Sequence, residues 1–84
     1  MDKAEAEKKV RKVVADVFNI SPAKLTRKTS FVDDLHAKSI NIVELLAALE
    51  IEFDFRIPQR DVRQNKTLGE AVDYMYAKAK HFRK

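Results

Sequence analysis

The chain has 84 residues, enough for one domain spanning residues 1–84, and a chain this short buries only about 60% of its unfolded surface, so its core is thin. With no cysteine it has no disulfide, no thiolate metal site and no thioester on its own side chains, and the 45% of hydrophobic residues leave apolar packing as the source of stability. Charged residues make up 36% and the apolar runs are short, which argues against a transmembrane span or a signal-peptide core and predicts a soluble, cytoplasmic protein with no stable membrane insertion.

From Asp2 to Phe18 the apolar residues Val10, Val13, Val14, Val17 and Phe18 recur at helical spacing, which predicts a first α-helix. Glu5 with Lys9 and Glu7 with Arg11 add i,i+4 pairs in the favourable order. Asn19 and Ser21-Pro22 stop this helix. The stretch from Ile20 to Lys38 has no periodicity, yet Ile20, Leu25, Phe31, Val32 and Leu35 make it too apolar for a free linker, so it reads as a long loop pinned to the core. A second helix is predicted from Ile40 to Phe53, with Leu45, Leu46, Leu49 and Phe53 inward and Asn41, Glu44 and Glu52 outward. Pro58 suits the first turn of a short third helix, Pro58 to Gln64, with Val62 as its inward anchor. Thr67-Leu68-Gly69-Glu70 is a capping box that opens a fourth helix, whose buried face is Leu68, Ala71, Val72, Met75 and Ala79. Gly69 falls in its first turn, where glycine costs least, and the chain ends in a basic tail, Lys78 to Lys84. The expected architecture is all-α: a four-helix bundle with a long first loop and a short third helix.

The net charge of +4 is uneven: residues 33–54 carry −5 and the remainder +9. In small helical domains such runs are ordinarily solvated faces. A nucleic-acid surface would also need a reading helix or stacking aromatics, and neither is recognisable here.

Ser39 immediately precedes the second helix in "LHAKSINIVEL". Serine is a favoured N-cap, which is a sufficient structural explanation. A helix start also favours a phosphate through its free N–H groups and dipole, so a serine bearing a phosphodiester would be supported there. Position alone does not decide between the two. His36 lies three residues before Ser39, but no glycine-rich elbow or oxyanion donors accompany it, so a hydrolase site has little behind it. Asp33, Asp34, Glu50, Glu52 and Asp54 lack the spacing of a calcium loop and form no dedicated metal site.

The wider pattern reads Phe31-Val32-Asp33-Asp34-Leu35, Ser39-Ile40, Val43-Glu44-Leu45, Glu50, Phe53, Ile57-Pro58, Thr67-Leu68, Ala71 and Tyr74. This ordered set, without gaps from Phe31 to Tyr74, resembles the acyl carrier protein family over nearly the whole chain. The resemblance implies that Ser39 bears 4′-phosphopantetheine, donated from coenzyme A by a separate phosphopantetheinyl transferase. The acyl-bearing thiol would belong to that arm, in keeping with a chain that has no cysteine. The chemistry would then fall to acyl-transferring or condensing enzymes, and the protein, a monomer, would not itself be an enzyme. An acyl pocket is implied at Phe31, Leu46, Leu49, Ile57, Val62, Ala71, Tyr74 and Met75. A partner-facing strip is implied at Lys38, Ile40, Asn41, Val43, Glu44, Ala47 and Ile51.

Several positions depart from the family. Lys38 stands where aspartate is usual, His36 where glycine is usual and Asn41 where an acid is common. Ile51 takes a usually acidic place, and Arg56, Gln59, Arg60 and Arg63 turn the third helix basic. Related carriers are acidic here and meet basic partner surfaces, so generic fatty-acid-synthase enzymes are expected to bind this chain less well. Two readings account for this: a specialised carrier for lipid, cell-envelope or secondary-metabolite synthesis, or a carrier-like interaction module that has lost modification.

Overall fold

The computed structural model describes residues 2–81, with side chains described as far as residue 79; the end of the predicted basic tail lies outside the described residues. Among them are four α-helices and no strand: α1 (Lys3–Phe18), α2 (Ser39–Phe53), α3 (Gln59–Gln64) and α4 (Leu68–His81). A short 3-10 turn, Pro22–Lys24, interrupts the loop between α1 and α2.

The apolar faces of α1, α2 and α4 meet, with α1 packed against both of the others. Val10, Val13 and Val14 of α1, Leu45, Leu49 and Phe53 of α2, and Leu68, Ala71, Val72 and Met75 of α4 are all buried in one cluster. The cluster also takes in Leu25, Phe31 and Ile57 from the connecting segments. Val17, Phe18, Leu46, Val62 and Ala79 lie half-buried at its edge, so Leu46 belongs to the rim of the expected stripe. α1 starts after Asp2, whose carboxylate accepts the Glu5 N–H at 2.8 Å. It ends at Asn19 and α2 ends at Asp54, both left-handed (φ 55° and 60°), a conformation that short polar side chains tolerate. Of the two predicted i,i+4 pairs, Glu7–Arg11 forms at 3.0 Å, whereas Lys9 places its ammonium 5.7 Å from the Phe53 ring centre.

The long first loop is pinned, as its apolar content predicts, and polar clamps hold its backbone. Arg11 Nη1 donates to the Leu25 carbonyl at 2.6 Å. Arg27 makes a two-pronged bond to the Asp73 carboxylate at 2.9 and 3.0 Å, and Lys3 reaches the same group at 3.0 Å. The Lys3 hydrogen bond does most to lower the Asp73 pKa, partial burial opposes it, and Arg27 adds to the lowering. An isolated bridge joins Ser30 to Thr67, where the Phe31 N–H donates to the Lys66 carbonyl at 3.0 Å.

The α4 capping box forms as predicted: the Glu70 N–H donates to Thr67 Oγ1 at 3.2 Å, while Glu70 Oε1 accepts the Lys66 and Thr67 N–H groups. The reason for Gly69 is not its low cost in a first turn. The loop carbonyl of Arg27 accepts the Gly69 N–H at 2.9 Å, and a Cβ on Gly69 would stand 2.9 Å from that oxygen. Pro58 likewise differs from expectation, sitting at the N-cap with extended backbone just outside α3. Asn41 and Glu52 are half-buried, not fully outward.

Candidate functional site

α2 begins one residue earlier than the periodicity predicts, which moves Ser39 from the cap into the helix. The N-cap is Lys38, with φ −104° and ψ 171°. A lysine side chain has no acceptor for the helix N–H groups, so this cap is closed from the other side: Asn41 Oδ1 accepts the Lys38 N–H at 2.9 Å. Asn41, expected in the partner strip, is thus half-buried and spends its amide oxygen on the helix start. Ser39 becomes the first helical residue, and the N–H groups of Ser39, Ile40 and Asn41 precede any intrahelical acceptor.

The chain has three serines, and two are structurally committed. Ser21 Oγ accepts the Ala23 N–H at 3.3 Å and Ser30 Oγ accepts the Asp33 N–H at 3.0 Å. The exposed Ser39 hydroxyl makes no hydrogen bond to any described residue. His36 makes none to it either, so no nucleophile–base pair exists here. His36 holds φ 55°, a left-handed backbone that explains why glycine is usual at that place in the family it resembles.

Beside Ser39 is a surface depression lined by Val32, Ala37, Lys38, Ile42, Val43, Gln59 and Arg63. A second hollow continues from it past Val32, Ile42, Val62 and Arg63 to Phe31 and Asn65. The innermost space is a cavity of about 20 Å³ among Phe31, Leu45, Leu49, Ile57, Ala71 and Met75, with Ile42, Val62 and Asn65 on its outer side. Ile42 therefore lines all three spaces between Ser39 and the core. Six of the predicted pocket residues, Phe31, Leu49, Ile57, Val62, Ala71 and Met75, are brought together. Leu46 and Tyr74 do not line the cavity. Leu46 lies at the rim of the core, and Tyr74 donates its hydroxyl to Asp61 Oδ2 at 2.6 Å, tying α4 to α3. Burial, and then the Asp61 carboxylate, push the Tyr74 phenol far above its ordinary value. Ile42 and Asn65 were missed, and Leu45, read as inward core, was not assigned to the pocket; the spacing Ile42, Leu45, Leu49 would have added Ile42.

Ile40, Val43, Glu44, Ala47 and Ile51, with Lys38, form an exposed strip along α2. Ile51 is 82% exposed and Ile40 62%, high values for large apolar side chains with no structural task.

Residues 8–75 match a family model described as a phosphopantetheine attachment site. The chain belongs to the acyl carrier protein family. The acyl carrier protein of Buchnera aphidicola subsp. Schizaphis graminum is 40% identical over 74 residues, which cover 88% of this chain and 94% of that one. That of Porphyromonas gingivalis is 42% identical over 72 residues, covering 86% and 92%. The solved structure of the acyl carrier protein from Enterococcus faecalis superposes with a TM-score of 0.75 at 35% identity, over 92% of this chain and 98% of that one.

Acyl carrier proteins are carriers, not enzymes, and work with transferases and synthases, typically in fatty acid synthesis. The cofactor of the family is covalently attached 4′-phosphopantetheine. The start of α2 fits such a group, because a free serine hydroxyl stands there with unpaired helix N–H groups and the Lys38 and Arg63 cations around it. Among the described residues no helix is long and apolar enough to cross a membrane, and no group of acids and histidines is placed to hold a metal ion.

Proposed function

We propose that this protein, as one domain over residues 1–84, carries acyl intermediates as thioesters on a phosphopantetheine arm attached to Ser39. The observation that carries this is the unspent Ser39 hydroxyl at the first position of α2, where the chain's two other serines are bound to backbone. In the attachment step Ser39 Oγ displaces 3′,5′-adenosine bisphosphate from coenzyme A, forming the phosphodiester and losing its proton, at a separate phosphopantetheinyl transferase. The helix N–H groups and the Lys38 ammonium stabilise the resulting negative charge. The thiol comes with the arm, and acyl-transferring or condensing enzymes act on what it bears.

The carried chain would pass Ile42 into the space enclosed by Phe31, Leu45, Leu49, Val62, Ala71 and Met75. At about 20 Å³ that cavity holds a single water-sized group, so a chain enters only as α3 gives way from α2 and α4. The exposed strip Ile40, Val43, Glu44, Ala47 and Ile51 is the surface we assign to partner enzymes. Lys38 and the arginines of α3 support service to a dedicated pathway of lipid, cell-envelope or secondary-metabolite synthesis in the cytoplasm.

Intact mass after co-expression with a phosphopantetheinyl transferase tests the attachment. A gain of one phosphopantetheine that disappears in Ser39→Ala establishes it. An unchanged mass with several transferases overturns it and leaves an unmodified carrier-like interaction module, the alternative that Lys38 in place of the usual aspartate raises.

A further inference from the structure

The outward face of α2 and the adjoining α3 differ in chemistry. Ile40, Val43, Ala47 and Ile51 follow at i, i+3, i+7 and i+11, which aligns them as one exposed apolar stripe running away from Ser39. Val43 shares the depression beside Ser39 with Gln59 and Arg63, so α3 flanks this side of the stripe. At the far end Ala47 and Ile51 line a groove with Phe55, Arg56 and the acids Glu50 and Asp54, wide enough to admit an apolar side chain.

The cations on the α3 side face solvent. The side chain of Arg56 is 97% exposed and that of Arg60 86% exposed, and their nearest acids, Glu50 and Asp61, lie at 3.8 and 3.9 Å. Those acids are already committed inward: Glu50 Oε2 accepts the Ile57 N–H at 2.8 Å and Asp61 Oδ2 accepts the Tyr74 hydroxyl at 2.6 Å. Arg63 is exposed and has no ion pair among the described residues. The α3 side of the stripe therefore presents the cations of Arg56, Arg60 and Arg63 outward, with the exposed Asp54 at its far end and Glu44 on the opposite side.

We propose that the α2–α3 face docks a protein that places an apolar side chain over Val43–Ile51 and carboxylates opposite Arg56, Arg60 and Arg63. This rests on the carrier reading in one respect, that the occupant is an enzyme acting on the arm at Ser39. Complementary charge steers such an encounter and like charge rejects it, so the arginines select for an acidic partner surface and against a basic one. An anionic membrane fits the face less well. Glu44 and Asp54 are exposed on the two flanks of the stripe, where a discrete partner can avoid them but a uniformly negative surface would meet them as like charges.

The test is an NMR titration of the full-length, unmodified, 15N-labelled chain with two synthetic amphipathic peptides that share a leucine–phenylalanine face. One peptide is flanked by glutamates and the other by lysines. The glutamate peptide is expected to bind at least about tenfold more tightly, with shifts at Ile40, Val43, Ile51, Arg56, Arg60 and Arg63 and weakening as salt rises. The exposed triple variant R56E/R60E/R63E, its fold checked by circular dichroism, is expected to reverse that order. Equal or stronger binding of the lysine peptide overturns the proposal, as does failure of the glutamate peptide to bind. So do shifts confined to the separate groove that Lys8, Lys12 and Ala15 of α1 form with Ile20 and Pro22, or binding of phosphatidylglycerol vesicles through the α2–α3 face in preference to the glutamate peptide. Because the chain is unmodified, failure here is separate from failure of attachment at Ser39, which the intact mass reports.

Discussion

Replacing Tyr74 with phenylalanine keeps the ring against the core and deletes one bond, the 2.6 Å donation from the hydroxyl to Asp61. That bond is the one side-chain link between α3 and α4 among the described residues, and α3 is only six residues long. A hydrogen bond to a charged acceptor contributes about 1.5–3 kcal/mol. The Asp61 side chain is 22% exposed, so water replaces part of the lost partner and the expected cost falls to about 1–2 kcal/mol. For a domain of this size that lowers Tm by roughly 4–16 °C in a thermal melt. It also speeds amide exchange in α3 by about 5- to 30-fold, because each 1.4 kcal/mol is a factor of ten in the opening equilibrium. A double-mutant cycle with Asp61→Ala should recover the same energy as coupling, since one pair is shared. A Tyr74→Phe variant with unchanged Tm and unchanged α3 exchange would refute the reasoning that this bond holds α3 over the cavity.

Other substitutions test the clamps and the site. Gly69→Ala gains helix propensity of up to about 1 kcal/mol but drives a Cβ to 2.9 Å from the Arg27 carbonyl. Overpacking of that kind costs about 1–3 kcal/mol, so the net change in urea unfolding should be destabilising, and a rise in midpoint would contradict the close approach. His36→Gly relieves a left-handed backbone and should stabilise by about 1 kcal/mol, less the entropy glycine adds to the unfolded chain, again read from urea midpoints. Asp73 has a folded pKa below its ordinary value of 3.8, so its contribution is present above that value and is lost as pH falls through the folded pKa. Asp73→Asn should therefore lower stability at neutral pH and flatten the acid limb below about pH 4, with a modest amplitude because the group is 49% exposed. Octanoyl loading of the arm should raise Tm, since burying its six methylenes is worth at most about 5 kcal/mol before the cost of opening the core is subtracted. An unchanged Tm would place the chain in solvent.

The helices were legible because their signals are local. Spacing alone locates α1 and α2 to within a residue, and the Thr67–Glu70 box marks the start of α4 through hydrogen bonds between residues three apart. What stayed hidden depends on partners distant in sequence or on one backbone angle. Gly69 answers to Arg27, 42 residues away, and no pattern around Gly69 announces it. Family resemblance alone assigns Tyr74 to the pocket, whereas its hydroxyl has a charged acceptor on α3 waiting for it. Ser39 was misplaced by one position because serine is so favoured a cap that a lysine cap is not expected, and the Asn41 bond that replaces the usual cap runs backward from inside the helix.

That one-residue shift bears on how the site works. A capping serine would spend its oxygen on the helix N–H groups and would have to surrender that bond in order to react. With Asn41 closing the helix from the inside, Ser39 Oγ is free and the N–H groups of the first turn remain available to an anion attached there. Lys38 then adds a cation at the point where the family carries an aspartate. The same substitution that would weaken recognition by a transferase expecting an acid would strengthen the hold on the phosphodiester once it forms. Lys38→Asp separates the two effects: it should raise the rate of modification by a generic transferase. The product should then show a phosphodiester 31P resonance whose salt dependence is smaller than in the parent, because the screened cation is gone. A slower modification of Lys38→Asp would show that the lysine is itself what this chain's transferase reads.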